Sequence, residues 1–131
     1  MTNGDRQVLV VEDDPEVNEL VGAYVQIAGF DYDSALNGCT ALEKIHNHRP
    51  ALVVLDVMLP DLDGFEICRR LRSEHNTEDL PVVMLTALDR DEYRQRGEQC
   101  GANAFLTKPF DPDHLVEVIR RTARTNAQAQ R

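Results

Sequence analysis

The sequence predicts a single doubly wound α/β domain, with five parallel strands in one sheet and five covering helices. Three observations carry this. Short β-branched apolar runs alternate five times with segments whose apolar residues recur at helical spacing. The 131 residues, 42% hydrophobic, suit one domain with its own core. The most continuous apolar run, Ala51 to Leu55, reads as a central strand buried on both faces.

Val8 to Val11 form the first strand, which stops directly in Glu12-Asp13. Asp14-Pro15 supplies an N-cap and a first-turn proline. Val17, Leu20, Val21, Tyr24, Ile27 and Ala28 then mark a helix that Gly29 closes. Asp31 to Ala35 is a weaker second strand. Ala41, Leu42 and Ile45 mark a short second helix. His46 and His48 close it and suit the helix dipole, with no third ligand nearby to suggest a metal. The third strand, Ala51 to Leu55, stops in Asp56. A loop follows, in which Asp61 and Asp63 read as loop residues, and Phe65, Cys68 and Leu71 give a third helical stripe.

Pro81 to Leu85 form the fourth strand, ending at Thr86. The fourth helix, from about Arg90 to Gln99, has little to bury: Tyr93 is its main large apolar residue and Gly97 interrupts it. Such a helix is weakly anchored. Ala104 to Leu106 are a short fifth strand ending at Thr107-Lys108-Pro109, and Leu115, Val118, Ile119 and Thr122 form an amphipathic last helix. No apolar stripe continues past Arg124. The expected organisation is therefore a domain over 1–124 and a polar tail or start of a linker over 125–131.

The net charge of −9, from 14 basic and 23 acidic residues, argues against a nucleic-acid-binding surface. The one basic cluster, Arg69-Arg70-Leu71-Arg72, reads as a solvated helix face. Cys39, Cys68 and Cys100 are odd in number and widely spaced, which disfavours disulfides and zinc and suits a reducing cytoplasm. All three read as small, partly buried side chains. The polar start, Met1 to Gln7, has no signal-peptide core, and no apolar run approaches the roughly 18 residues that span a bilayer.

In doubly wound sheets the ligand crevice lies beyond the C-terminal strand ends, where strand order reverses; in the flavodoxin-like order 2-1-3-4-5 this is between the first and third strands. Glu12-Asp13 and Asp56 end those two strands. Two carboxylates about 4 Å apart repel by roughly 4 kcal/mol at an effective dielectric near 20. A hard divalent cation relieves this, and oxygen ligands without His or Cys favour Mg²⁺. A carboxylate can then act as nucleophile and form an acyl phosphate. Asp56, alone on the middle strand, is the natural acceptor, and Glu12 and Asp13 the natural metal holders. Lys108 can offer a cation and Thr86 a hydroxyl to phosphoryl oxygens. Singly, Glu12-Asp13 and Asp56 read as readily as a helix N-terminal acid cluster and a turn acid, while Lys108 and Thr86 read more readily as a surface lysine and a strand-end hydroxyl. Their joint placement at one sheet edge favours a site.

The motifs Val10-Val11-Glu12-Asp13-Asp14, Leu55-Asp56-Val57-Met58-Leu59-Pro60 with Asp63-Gly64, Leu85-Thr86-Ala87 and Lys108-Pro109-Phe110 stand in this order. Over roughly residues 6 to 124 the chain resembles the receiver domain of two-component response regulators. The resemblance implies that Asp56 accepts phosphate from a sensor histidine kinase or phosphotransfer protein. It implies that Asp13, Asp56 and the Met58 carbonyl bind Mg²⁺, with Glu12 acting through water. Thr86 and Lys108 would bind phosphoryl oxygens, Thr86 and Phe105 would act as the switch, and the Lys108-Pro109 bond would be cis. The domain would then be a cytoplasmic signalling switch that turns over no external substrate. Its fourth-helix, fifth-strand and fifth-helix surface would control an output domain or a second receiver, including a homodimer formed on phosphorylation.

Two departures stand out. Phe105 lacks the hydroxyl of the more frequent Tyr, which favours its inward burial. Gly101-Ala102-Asn103-Ala104 lacks the paired acids that resemble the winged-helix subfamily, which leaves the output class open. Met58 and Leu88 are apolar where similar domains flank the route of the attacking water, so slow dephosphorylation is expected. A Mg²⁺-dependent phosphatase with an Asp nucleophile is the alternative, although Met58 stands where such enzymes resemble a second Asp. A flavodoxin-like cofactor binder is disfavoured, because Glu12-Asp13-Asp14-Pro15 stands where a phosphate-cradling loop belongs.

Overall fold

The alternation in the sequence is realised as β1 (Gln7–Val11), α1 (Pro15–Ile27), β2 (Asp31–Ala35), α2 (Gly38–Asn47), β3 (Leu52–Leu55), α3 (Gly64–Ser73), β4 (Val82–Thr86), α4 (Asp91–Cys100), β5 (Ala104–Thr107) and α5 (Pro112–Ala129). The computed structural model describes residues 6–87 and 91–129, with side chains as far as 123. Arg90, the expected start of the fourth helix, lies outside the described residues. All strand pairs are parallel, in the order β2-β1-β3-β4-β5.

Successive strand residues point to opposite faces, so the sheet makes two cores. Leu9, Val11, Val53, Leu55, Val82 and Met84 pack with Ala41, Ile45, Phe65, Ile67 and Leu71 of α2 and α3. Val8, Val10, Leu52, Val54, Val83 and Leu85 pack with Val21, Val25, Leu115 and Ile119 of α1 and α5. β1, β3 and β4 are thus apolar almost throughout, as strands covered on both faces must be.

Helix starts are satisfied by short acids and amides. Asp14 Oδ1 accepts from the Glu16 and Val17 amides at 2.9 and 3.4 Å, and Asn37 accepts from the Thr40 amide at 2.8 Å. Asp61 and Asp63 are caps rather than plain loop acids. Asp63 accepts from the Phe65 amide at 2.8 Å, and Asp61 reaches across to the Gly38 and Cys39 amides at 2.8 and 2.9 Å. The first turn of a helix leaves such donors open, and a carboxylate there is favoured twice, by the bond and by the dipole. Those amides hold the Asp61 carboxyl at about 2, below its ordinary 3.8.

Several sequence expectations are corrected. Arg69 and Arg70 pair with Glu66 on an exposed face, but Arg72 turns back. It donates to the Gly101 carbonyl at 3.0 Å and to Asn103 Oδ1 at 3.0 Å, tying the turn after α4 to α3. Cys39 is exposed, whereas Cys68 and Cys100 are buried. Gly97 does not merely interrupt α4: a Cβ there would lie 2.9 Å from the Phe105 ring, so glycine lets α4 settle on β5. Helical backbone in α5 continues through Ala129.

Asn18 is a buried polar side chain on α1 that the apolar periodicity skips. Its amide nitrogen donates to the carbonyls of Val10, Glu12 and Ala35 at 3.1, 3.0 and 3.2 Å, and its Oδ1 accepts from the Tyr32 hydroxyl. It therefore joins the ends of β1 and β2. Removing it strands buried carbonyls, which costs about 1–3 kcal/mol. Asn18→Ala should lower the urea-unfolding free energy by about 2 kcal/mol with an unchanged denaturant slope. A second outcome follows from Asp61. Because its folded-state value lies below 3.8, its contribution is present above that pH and is lost as pH falls toward about 2. Melting temperature measured from pH 5 to about 2 should fall less steeply in Asp61→Asn than in the parent.

Candidate functional site

A parallel sheet delivers every C-terminal strand tip to one edge. β1 and β3 are neighbours with Val11 opposite Leu55, so Glu12 and Asp56 leave the sheet side by side. The Asp56 amide donates to the Val11 carbonyl at 3.0 Å and the Glu12 amide to Ala35 at 3.1 Å, which fixes both exits. Carboxylate oxygens of Glu12, Asp13 and Asp56 all lie within 4.8 Å of one another. Glu12 and Asp56 are buried, at 5% and 7% exposure, while Asp13 faces solvent.

Lys108 enters from the end of β5. Its backbone amide donates to the Thr86 carbonyl at 2.8 Å. Its ammonium donates to Glu12 Oε1 and to Asp56 Oδ2, the latter at 3.1 Å. The other oxygen of each acid is also engaged: Asp56 Oδ1 accepts from the Met58 amide at 3.1 Å and Glu12 Oε2 from the Asp14 amide at 3.2 Å. The Lys108–Pro109 peptide is cis. Thr86 closes β4 beside these groups with 1% exposure.

The charges remain unbalanced. Glu12, by hydrogen bond and by charge, and partial burial together hold Asp13 above the ordinary carboxylate range. Burial alone would depress Lys108, but the carboxylates of Glu12 and Asp56 outweigh it and raise the amine. At 4.8 Å and an effective dielectric near 20, a carboxylate pair repels by about 3 kcal/mol; among the described residues the Lys108 ammonium bonds two of the three acids, Glu12 and Asp56. The donors are all hard oxygens. This set fits a small divalent cation of the magnesium type.

Gly64 is a positioning residue that sequence reading noted only as part of a motif. A Cβ there would sit 2.4 Å from the Asp56 carbonyl oxygen. Only glycine lets the first turn of α3 meet the end of β3, and its amide donates to Val57 at 2.8 Å. Asn18 supports the same edge by holding the Glu12 carbonyl. Phe105 lies on β5, partly buried against the α4 side of the core, with the Arg94 guanidinium 5.5 Å from its ring centre. β4 stands between its strand and the nearest acid-bearing strand, β3. Met58 is 63% exposed at the mouth of the site. Leu88 lies outside the described residues.

A family model of the response regulator receiver domain matches residues 8–120. The chain belongs to this family. The DNA-binding dual master transcriptional regulator RpaA of Synechocystis sp. is 38% identical over 118 residues, covering 90% of this chain and 49% of the relative. The chain thus spans about half the length of the curated relatives it matches. The receiver domain of Francisella response regulator 1452 superposes with a TM-score of 0.85 at 31% identity, covering 92% of this chain and 98% of that one. The BeF3-activated N-terminal receiver domain of Klebsiella pneumoniae RstA gives 0.82 at 36% identity, covering 90% and 98%. The fold and the two-component assignment read from the sequence both hold. The phosphatase alternative is not favoured. Among the described residues, no helix is long and apolar enough to cross a membrane.

Proposed function

We propose that this receiver domain takes a phosphoryl group onto Asp56 from a sensor histidine kinase or a phosphotransfer protein. One observation carries the proposal: Asp56 is buried at the edge of β3 and shares the Lys108 ammonium with Glu12. An Asp56 carboxylate oxygen attacks phosphorus, the histidine nitrogen leaves, and an acyl phosphate results. Lys108 gives up its contacts with the carboxylates and turns to a phosphoryl oxygen. The Thr86 hydroxyl donates to another. The residues suited to hold Mg²⁺ are Asp13, Asp56 and the Met58 carbonyl, with Glu12 acting through water; the ion would supply the positive charge that offsets both the acids and the incoming group.

Phosphorylation adds about −1.5 to −2 charges at this edge. In the proposed switch Thr86 reorients toward the new charge and Phe105 packs further inward. The lightly anchored α4 then shifts against β5 and α5. That surface controls an output domain or a second receiver, with a homodimer as one form. The transcriptional regulators among the relatives favour a DNA-binding output elsewhere in the full-length protein. The domain assists its own phosphotransfer and dephosphorylation and turns over no external substrate. We assign the receiver domain to residues 1–124 and its action to the cytoplasm.

The test is labelling with acetyl phosphate and Mg²⁺. The parent should gain one acid-stable, base-labile phosphoryl group, and Asp56→Asn should gain none. Persistent labelling of that variant would remove Asp56 from its role. Mg²⁺ alone should raise the melting temperature of the parent, as binding to the folded state requires. A further outcome concerns lifetime. Met58→Asn should lose its phosphoryl group several-fold faster than the parent, read as release of inorganic phosphate after kinase removal.

A further inference from the structure

Cys68 lies in the middle of α3 and Cys100 ends α4, on the face where these helices pack. The Cys68 thiol reaches the Cys100 carbonyl oxygen at 3.3 Å, and the Cys100 thiol reaches the Gly97 carbonyl at 3.1 Å. The Cys68 sulfur thus lies against the backbone of Cys100. Cys68 is fully buried, whereas Cys100 keeps 6% exposure and opens on a small recess lined by Phe65, Arg69, Arg96 and Gln99. Arg69 and Arg96 therefore share the lining of this recess with Cys100. Cationic neighbours favour the thiolate, the nucleophilic form of cysteine, although burial opposes it.

We propose that Cys100 is a peroxide-reactive thiol and that Cys68 is its resolving partner. The Cys100 thiolate attacks one oxygen of hydrogen peroxide, and the O–O bond breaks. The departing hydroxide takes up a proton and leaves as water. The sulfenic acid on Cys100 is then attacked by the Cys68 sulfur. The S–O bond breaks, the proton of Cys68 leaves with the oxygen as a second water, and the S–S bond forms. Two thiols and one peroxide thus give one disulfide and two waters, with two electrons passed to the oxidant. The electrostatics point the same way. The neighbouring Cys68 side chain leads the influences that lower the Cys100 thiol, with the Ala102 amide, Arg72 and Arg69 assisting against burial, while Cys68 is pushed up. The disulfide would join α3 to the last residue of α4, the helix with the fewest buried side chains among those described on this face.

The thiol chemistry does not depend on phosphorylation, so the test needs no phosphodonor. Cys39→Ser removes the exposed third thiol, and this variant is treated with hydrogen peroxide under native conditions. Both remaining thiols should be lost at a rate proportional to peroxide concentration. Intact mass should fall by two hydrogens, with Cys68 and Cys100 joined in one peptide and restored by dithiothreitol. With Cys68→Ser added, oxidation should stop at a dimedone-trapped adduct on Cys100. Two results would overturn the proposal: thiols that survive in the folded variant, or a loss rate that no longer rises with peroxide and equals the rate of unfolding. Circular dichroism of each variant confirms that it is folded during the reaction.

Discussion

The ammonium of Lys108 between Glu12 and Asp56 is the contact on which the functional edge depends. The sheet topology forces the two acids together, because β1 and β3 are hydrogen-bonded neighbours and both stop in a carboxylate. Neither acid can turn outward without breaking the backbone N–H hydrogen bond that holds its second oxygen. Loss of one partner from such a buried group leaves uncompensated charge, at about 3–5 kcal/mol. The same strain makes the edge receptive. A site with more negative than positive charge admits a cation, and an amine already aimed at an acceptor carboxylate can follow the group that arrives there.

Much of this was legible in the chain because it is written in neighbouring residues. Apolar runs that stop in Glu12-Asp13, Asp56, Thr86 and Lys108 announce both the strands and the edge at which they end. The order of the strands comes from the flavodoxin-like fold, and the placement of the acids agrees with its switch point. What remained hidden lies in contacts between distant residues. Asn18 reads as a polar residue on a helix until its amide is seen between three carbonyls. Arg72 sits in a basic run, yet its partners lie some thirty positions away in the turn before β5. Asp61 caps a helix that precedes it in the chain, an arrangement no local capping pattern describes. Cys68 and Cys100 have no motif spacing, and only the packing of α3 on α4 brings them together.

α4 shows how a weakly apolar helix can be held and remain free to move. Only Gly97 and Cys100 are buried within it. The rest of its hold is aromatic and ionic. Tyr93 stacks parallel to Phe65 at 6.4 Å, Arg96 covers Phe65 at 4.4 Å, and the same guanidinium approaches Asp63 at 3.5 Å. Contacts of this kind at exposed positions are each worth on the order of 1 kcal/mol. A small change in the charge of the neighbouring edge competes with such terms, where it could not compete with a buried leucine stripe.

The loop between β3 and α3 is pinned at three places. Asp56 begins it, Asp61 fastens its middle to the amides that open α2, and Asp63 with Gly64 closes it against the end of β3. Surface loops ordinarily absorb insertions at little cost. This one has no slack to give, since an added residue would have to break one of these anchors or push the acceptor strand out of line. Grafting of a longer segment at this turn is therefore a poor route to redesign, even though Met58 and Pro60 stand open to solvent.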